Sequence, residues 1–254
     1  MTINSHLTAR ASAAVLSASE KSSIQTSIIT LSSRCSSYFG TTVSNKFVFG
    51  SYARGTILPR SMDARSDVDY MVVFAEGGYQ PQTYLDRLRR FVEEKYSRSE
   101  IYQSSPTIVL ELNHIKFELV PALSGTVGYR IPDGSGYWQD TYPHGAAALL
   151  EDKNKSELYR IKPSIRLLKY WNALNGYPYA SYALETRAVS ESYGICVSQQ
   201  DYFCKMVNDL WPYGGTQHRQ QKVERAQKLV REALQLERDG YPNLAEAEMK
   251  KLIP

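Results

Sequence analysis

The sequence predicts an α+β fold in which a mixed sheet flanked by helices precedes a helical C-terminal lobe. Strand-like alternation of apolar and polar residues is concentrated around residues 46–74 and 106–123. Apolar residues at helical spacing dominate residues 157–239. We therefore expect one lobe at residues 1–145, beginning with a long helical segment, and a second lobe at residues 146–254 that closes a cleft over the first.

Length, charge and cysteine content limit the class of protein. A chain of 254 residues with 43% hydrophobic residues can bury a sizeable core. Its net charge of +4 does not by itself imply binding to a long nucleic-acid duplex. Three cysteines without a disulfide or metal spacing favour the reducing cytoplasm. The N-terminus has no apolar h-region and no apolar run approaches the ~18 residues of a membrane span, so neither secretion nor a membrane partner is expected.

The N-terminal segment is expected to be helical. Residues 7–39 contain neither Gly nor Pro, and Leu16, Ile24, Ile28 and Leu31 recur at roughly helical spacing. The many Ser and Thr residues compete for backbone hydrogen bonds and weaken this pattern. The segment therefore predicts one long helix or two.

Two strand patterns then enclose a turn. Residues 46–49 are largely apolar and aromatic, and residues 67–74 alternate, so both are expected to be strands. Because side chains repeat every second residue along a strand, Asp67 and Asp69 project from one face, about 7 Å apart. Two such carboxylates repel each other unless a cation lies between them, and hard oxygen ligands suit Mg²⁺ or Mn²⁺.

The turn between these strands is suited to an anion. Gly50 lets the backbone approach a ligand closely, and the Ser51 hydroxyl with neighbouring N–H groups can cradle a phosphate. Mg²⁺ characteristically binds through one or two carboxylates together with substrate phosphates. The turn and the acidic pair therefore predict a site for phosphates and a divalent cation. Arg54 and Arg65 flank this motif and are expected to be solvated.

A β-hairpin carrying two glutamates follows. A two-residue turn at Asn113–His114 pairs Glu111 with Lys116. The same register places Glu118 opposite Val109. Both glutamates then lie on one face of the sheet, so strand alternation does not show which of them is the metal ligand. We expect Glu111 to form a salt bridge with Lys116. Glu118 would then have no cationic partner across the hairpin and would need another cation. Glu118 is therefore the predicted third metal ligand, and an ordinary edge position is its alternative.

The remaining segments are expected to be one loop and several helices. Residues 124–145 are rich in Gly, Pro, Tyr and Trp and are typical of a functional loop. Helix patterns cover residues 84–96, 157–175 and 217–239. The four histidines have no metal spacing, and we assign them no chemistry.

These motifs together resemble a known family. A Gly-Ser turn, an acid-x-acid pair and the later string F-E-L-V-P resemble the nucleotidyltransferases of the DNA polymerase β superfamily. The strings Y-R-I-P-D, R-L-L-K-Y-W-N and S-Y-A-L-E are similar to its cGAS/DncV-like bacterial branch, the CD-NTases. The resemblance covers residues 47–185 and implies a polymerase β-like nucleotidyltransferase core in the first lobe.

The resemblance implies roles for residues of the first lobe. Gly50 and Ser51 would hold the triphosphate of a nucleotide. Asp67, Asp69 and Glu118 would be the catalytic acids and would hold two Mg²⁺ ions, with Mn²⁺ as the alternative ion. Asp is the commoner third acid in the family, so the longer Glu118 is a departure.

Three residues of the second lobe would complete the site by the same resemblance. Lys169 and Ser181 would touch the β- and γ-phosphates, and Tyr182 would stack on the base. The ordinary alternatives are a Lys169 head group that extends into water and a Ser181 that caps a helix. Base stacking contributes about 1–3 kcal/mol and tolerates any base.

The implied activity is metal-assisted nucleotidyl transfer between nucleoside triphosphates. Repeated transfer would give a cyclic or short linear oligonucleotide, a second messenger that activates an effector in CBASS-type anti-phage defence. Two alternatives stay open. One is a transferase that acts on an RNA end, a small molecule or a protein, and the other is a catalytically inactive nucleotide-binding module.

Overall fold

A computed structural model describes residues 2–212 and 215–254 of the chain. Its helices are α1 (Ile3–Ala13), α2 (Ala18–Phe39), α3 (Gly50–Arg54), α4 (Pro81–Lys95), α5 (Pro143–Ser156), α6 (Ile161–Leu174), α7 (Ser181–Ser190), α8 (Gln199–Asn208), α9 (Gln217–Arg238) and α10 (Pro242–Lys250). Its strands are β1 (Val43–Phe49), β2 (Asp67–Phe74), β3 (Glu100–Ser104), β4 (Thr107–Glu111), β5 (Lys116–Ser124), β6 (Tyr129–Pro132) and β7 (Trp138–Thr141). Within those two segments, no helix combines the length and the apolar character needed to cross a membrane.

The strands form one mixed sheet, which confirms the predicted fold class. Their order is β1-β2-β5-β4-β3, and β6 and β7 extend the sheet from β5. The pair formed by β2 and β5 is parallel, whereas the other strand pairs are antiparallel. The two strands that carry the predicted acids are therefore direct neighbours in the middle of the sheet.

The chain divides into two compact units. The helical unit consists of Met1–Val15, Ser61–Asp63 and Leu149–Pro254, and the sheet unit consists of Leu16–Arg60 and Ala64–Ala148. The expected division near residue 145 thus differs in its N-terminal part, because α1 contacts α6, α8 and α10 in the helical unit.

The N-terminal segment forms two helices rather than one. α1 buries Ile3, Leu7 and Ala11, and these apolar side chains explain its place in the helical unit. Ser17 then starts α2 with a capping box, since its side chain accepts from the Glu20 N–H and the Glu20 carboxylate accepts from the Ser17 N–H. The second helix therefore begins where a local cap satisfies its first N–H groups.

The two faces of the sheet have different surroundings. One face packs against α2 and α4 in a large core. On the other face, a smaller cluster is covered by aromatic and branched side chains from β1 and β6. The buried members of this smaller cluster are Met71, Val73 and Ala122. The apolar residues of this second face lie toward the carboxyl ends of β2 and β5. On the same face, the first residues of these two strands are polar.

The segment expected to be a loop is instead a hairpin followed by a helix. β6 and β7 pair in antiparallel register, and α5 starts directly afterwards at Pro143. The carboxylate of Asp133 accepts hydrogen bonds from the backbone N–H groups of Ser135 and Tyr137, at 2.8 and 3.0 Å. These side-chain bonds close the turn of the hairpin, and its four-residue strands are too short to show a clear alternation in sequence.

Candidate active site

The predicted acids lie on adjacent parallel strands. Asp69 of β2 is the direct register partner of Glu118 of β5, and Asp67 is the partner of Lys116. Neighbouring strands are separated by about 4.8 Å, so side chains at partnered positions are within reach of each other. The intervening Val68 belongs to the core on the opposite face. The register therefore brings the three acids to one face of the sheet.

Lys116 has different partners from the one expected. The hairpin has the predicted register, with Glu111 opposite Lys116. The Lys116 Nζ atom nevertheless lies 2.8 Å from Glu118 Oε1 and 3.2 Å from Asp67 Oδ2. Glu111 instead lies 3.8 Å from Arg60. The expected Glu111–Lys116 bridge was therefore wrong, and so was the expectation that Glu118 would have no partner within the chain.

Three charged side chains meet at this point of the sheet, those of Asp67, Lys116 and Glu118. Burial, followed by repulsion from the Glu118 carboxylate, raises the pKa of Asp67 to about 6, although Lys116 opposes the shift. Burial alone would lower the pKa of Lys116, but its bonds to the two carboxylates more than offset this and hold that pKa above its usual range. Asp67 thus requires positive charge close by to remain ionised.

Gly50 packs against Asp69. It opens the short helix α3 with a φ of +65°, and a β-carbon there would lie 1.7 Å from Asp69 Oδ2. The Ser51 carbonyl accepts from the N–H groups of Thr56 and Ile57, at 2.9 and 3.1 Å, as α3 ends. The glycine-started turn of the sequence is therefore one turn of helix whose first residue touches Asp69.

The two arginines that flank this motif differ in exposure. Arg65 is exposed, as expected. Arg54 is buried, so its expected solvation was wrong. It ends α3, and after Gly55 the chain continues into the buried residues Thr56 and Ile57, so this short helix is packed into its unit at that end.

The predicted phosphate and base contacts belong to the helical unit. Lys169 of α6 is buried, with 5% of its side chain exposed, and its Nζ donates to Glu185 Oε1 at 3.2 Å. Its head group therefore does not extend into water. Ser181 is the first residue of α7, and the N-cap is Ala180, so the capping alternative for Ser181 was wrong. Tyr182 is 56% exposed. Their contacts with a nucleotide stay predictions.

The acidic side chains on this face of the sheet provide oxygen donors of the kind that a divalent metal ion binds. In the described part of the chain, no three His, Cys, Asp or Glu side chains are arranged to hold one. A protein cation, Lys116, instead bridges Asp67 and Glu118. The chemistry of the set still fits a hard divalent ion, because carboxylate oxygens from neighbouring strands lie on one face of the sheet. Asp67, Asp69 and Glu118 are therefore the residues that would hold Mg²⁺ or Mn²⁺.

Sequence reasoning missed the involvement of Lys116 with the acids. The alternation places Lys116 and Glu118 on one face, two residues apart, and that signal is present in the sequence. The position of Asp67 beside Lys116 depends on the parallel pairing of β2 with β5, which local patterns do not specify.

Comparison with known sequences gives two matches. A family model, that of the Second Messenger Oligonucleotide or Dinucleotide Synthetase (SMODS) domain, matches residues 1–154. A probable cyclic nucleotide synthase of Bacillus cereus strain VD146 is 28% identical over 177 residues, which are 54% of this chain and 52% of the relative. The match thus spans about half the length of that curated relative.

Solved structures share the fold over nearly the whole chain. CdnC of Escherichia coli MS115-1, solved with ATP, has a TM-score of 0.73 and 14% identity, and the match covers 98% of this chain and 96% of that one. CdnG of Bradyrhizobium diazoefficiens, a CD-NTase solved with GTP, has a TM-score of 0.71 and 10% identity, with 97% of both chains covered. Apo DncV of Vibrio cholerae has a TM-score of 0.60 and 10% identity, with 76% of this chain and 63% of that one covered.

Proposed function

Because the chain belongs to the family of Second Messenger Oligonucleotide or Dinucleotide Synthetase domains, we propose that it is a metal-dependent nucleotidyltransferase that links nucleoside triphosphates into a cyclic or short linear oligonucleotide. Membership of this family confirms the resemblance to the cGAS/DncV-like nucleotidyltransferases. What we propose beyond family membership is the activity of this chain, its substrates and its dependence on a metal ion.

One observation carries the proposal. Asp69 and Glu118 are register partners on parallel strands, and Asp67 lies two residues before Asp69 on the same face. Burial first, and then repulsion from the Glu118 carboxylate, raise the pKa of Asp67, so these carboxylates are held close together in a partly buried position. Such crowding costs stability, and binding of divalent cations is a function that requires it.

The chain contributes position and charge rather than a covalent intermediate. Asp67, Asp69 and Glu118 would hold divalent ions, which when bound neutralise phosphate charge and lower the pKa of an attacking ribose hydroxyl. The backbone at Gly50 and Ser51 would orient the triphosphate beside them. Holding the acceptor hydroxyl in line with the α-phosphorus converts an encounter between two nucleotides into a step within one complex.

Residues of the helical unit would bind the rest of the nucleotide. The ring of Tyr182 is exposed and thus available to stack on a base. Ser181 begins α7 and would donate its hydroxyl to a phosphate oxygen. Lys169 is a buried cation whose charge is shared with Glu185, and we assign it to the β- and γ-phosphates.

The biological role follows from the proposed product. A cyclic oligonucleotide would serve as a second messenger, and the partner of this chain would then be an effector that recognises the product rather than the enzyme. We propose a role of this kind in CBASS-type anti-phage signalling within the cytoplasm.

The direct test is product analysis. The chain is incubated with all four nucleoside triphosphates and with Mg²⁺ or Mn²⁺, and the products are identified by mass spectrometry after phosphatase treatment. We expect a phosphatase-resistant cyclic oligonucleotide. Asp67→Asn and Asp69→Asn should each lower its formation by at least about a hundredfold, because each removes a charged ligand of the proposed ions.

A matched control separates catalysis from folding. Glu93 is exposed on α4, which packs on the opposite face of the sheet, so Glu93→Gln should keep wild-type activity. Product that forms only after an RNA, a small molecule or a protein is added would replace the proposal by transfer to that acceptor. Nucleotide binding without any product would identify an inactive binding module.

A further inference from the structure

Lys116 lies between two of the proposed metal ligands. It is 16% exposed, and its Nζ atom is within 3.2 Å of carboxylate oxygens of both Asp67 and Glu118. We propose that Lys116 is an internal competitor for the divalent cation, holding these carboxylates together until a metal ion displaces its ammonium group. This inference rests on the proposed function, since it concerns the same carboxylates.

Lys116 and a metal ion exclude each other from this position. Mg²⁺ binds oxygen ligands at about 2.1 Å, so an ion between Asp67 and Glu118 would occupy the space that the ammonium group now fills. Two cations so close together also repel each other strongly in a partly buried site. Metal binding therefore requires the Lys116 head group to leave, and the apparent affinity for the ion is reduced by the stability of the Lys116 contacts.

The sheet offers the displaced side chain a second acidic partner. β5 lies between β2 and β4, so Lys116 has Asp67 as its register partner on one side and Glu111 on the other. Among the described residues, the ion pair of the Glu111 carboxylate is a long contact of 3.8 Å with Arg60. A lysine side chain with four rotatable methylene groups can move from one neighbour to the other without any change in the backbone. Glu111 is therefore the expected acceptor of Lys116 in the metal-bound protein.

The test measures binding of Mn²⁺ alone, without nucleotide, from the electron paramagnetic resonance signal of free Mn²⁺. Lys116→Met removes the ammonium group and keeps the apolar stem. We expect it to bind Mn²⁺ about tenfold more tightly than the wild type. Lys116→Arg keeps the charge and can engage a carboxylate through two N–H groups, so it should bind no more tightly than the wild type. Affinity for Mn²⁺ in Lys116→Met that is equal to or weaker than wild type would overturn the inference.

A matched ion pair provides the control. Lys153 Nζ lies 2.8 Å from Glu157 Oε1, the same distance as in the Lys116–Glu118 pair, with similar burial, but it lies in the helical unit. Lys153→Met should leave the affinity for Mn²⁺ unchanged. An equal gain in Lys153→Met would show a general charge effect and would overturn the role of Lys116.

A second variant keeps the inference testable if Lys116→Met does not fold. Glu111→Gln removes the proposed acceptor and leaves Lys116 with Asp67 and Glu118, so we expect Mn²⁺ affinity to fall about threefold or more. Unchanged affinity in Glu111→Gln would contradict the movement of Lys116. Wild-type binding that is weakened by Asp69→Asn but unaffected by Lys116→Met would overturn this inference alone. Mn²⁺ binding that Asp69→Asn does not weaken would overturn the proposed metal site as well.

Discussion

A β-carbon on Gly50 would lie 1.7 Å from Oδ2 of Asp69, so the carboxylate occupies the space that any other residue at position 50 would fill. Gly50 also has a φ of +65°, a conformation that residues with a β-carbon rarely adopt. The two requirements act together, because the backbone that turns from β1 into α3 is the surface against which Asp69 rests.

Gly50→Ala should abolish nucleotidyl transfer. The new methyl group would force the Asp69 carboxylate to move, and we expect product formation to fall at least about a hundredfold. Because alanine is strained in this left-handed backbone conformation, the free energy of unfolding should also fall by about 1–2 kcal/mol. Product formation and urea denaturation measure the two effects separately.

Gly55→Ala is the control for that substitution. Gly55 ends α3 with a φ of +70°, and a β-carbon there would meet nothing within 4 Å. This variant should lose a similar amount of stability from backbone strain but keep its activity. If Gly50→Ala were as active as Gly55→Ala, the contact with Asp69 would have no role in the reaction.

Glu118 should tolerate loss of length better than loss of charge. Glu118→Asp keeps the carboxylate while drawing it away from Lys116, whose Nζ now lies 2.8 Å from it. We expect this variant to retain activity within about tenfold of the wild type, and Glu118→Gln to lose at least about a hundredfold, because a neutral amide is a poor ligand for a divalent ion. The rate of product formation with Mn²⁺ measures both. Comparable activity in Glu118→Gln and wild type would remove Glu118 from the proposed ligands.

The sequence predicts features of this site that depend on local rules. A two-residue turn at Asn113–His114 fixes the hairpin register, and Glu111 does lie opposite Lys116. Strand parity likewise places Asp67 and Asp69 on one face. The actual partners of Lys116 depend on β2 pairing in parallel with β5, which is a long-range arrangement that neither pattern contains.

In the fold as a whole, elements with a regular local pattern were likewise predicted, and those without one were not. The long amphipathic helix α9 has a regular buried stripe, and it was predicted almost to its ends. The short strands β6 and β7 were missed, because four residues are too few to establish a period. Helix α5 was missed as well, because it begins with the Pro and Gly typical of a loop and its apolar residues form one consecutive run rather than a stripe at helical spacing. Helix α1 belongs to the helical unit because α6, α8 and α10, which are distant in sequence, pack against it. The periodicity of its apolar residues does not identify these partner helices.

Breaking the buried ion pair between Lys169 and Glu185 should strongly destabilise the helical unit. Their side chains are 5% and 3% exposed, with 3.2 Å between Lys169 Nζ and Glu185 Oε1. Lys169→Met leaves the Glu185 charge buried without this cation, and we expect the free energy of unfolding to fall by about 3–5 kcal/mol. Urea denaturation measures the change.

The double variant Lys169→Met with Glu185→Leu separates stability from substrate binding. It removes both charges, so it should recover most of the lost stability. If Lys169 also binds the triphosphate, the recovered protein should bind nucleoside triphosphates about tenfold more weakly than the wild type. Full recovery of both stability and nucleotide affinity would restrict Lys169 to a structural role.

The three cysteine thiols should differ sharply in reactivity. Burial raises the pKa of Cys35 to about 11 and that of Cys204 to about 12, and both side chains are inaccessible. Cys196 is only partly buried, and burial also raises its pKa. Alkylation requires an accessible thiolate, and a thiol with a raised pKa forms its thiolate only at higher pH.

Iodoacetamide at pH 8 should therefore label Cys196 first in the native protein. Cys35 and Cys204 should react only through opening of their units, so their labelling rates report the free energy of that opening. Peptide mass spectrometry follows each thiol separately, and the protein in guanidinium chloride, where all three should react at similar rates, is the control. Native labelling of Cys204 as fast as that of Cys196 would contradict the packing of α8, because Cys204 lies on the buried side of that helix.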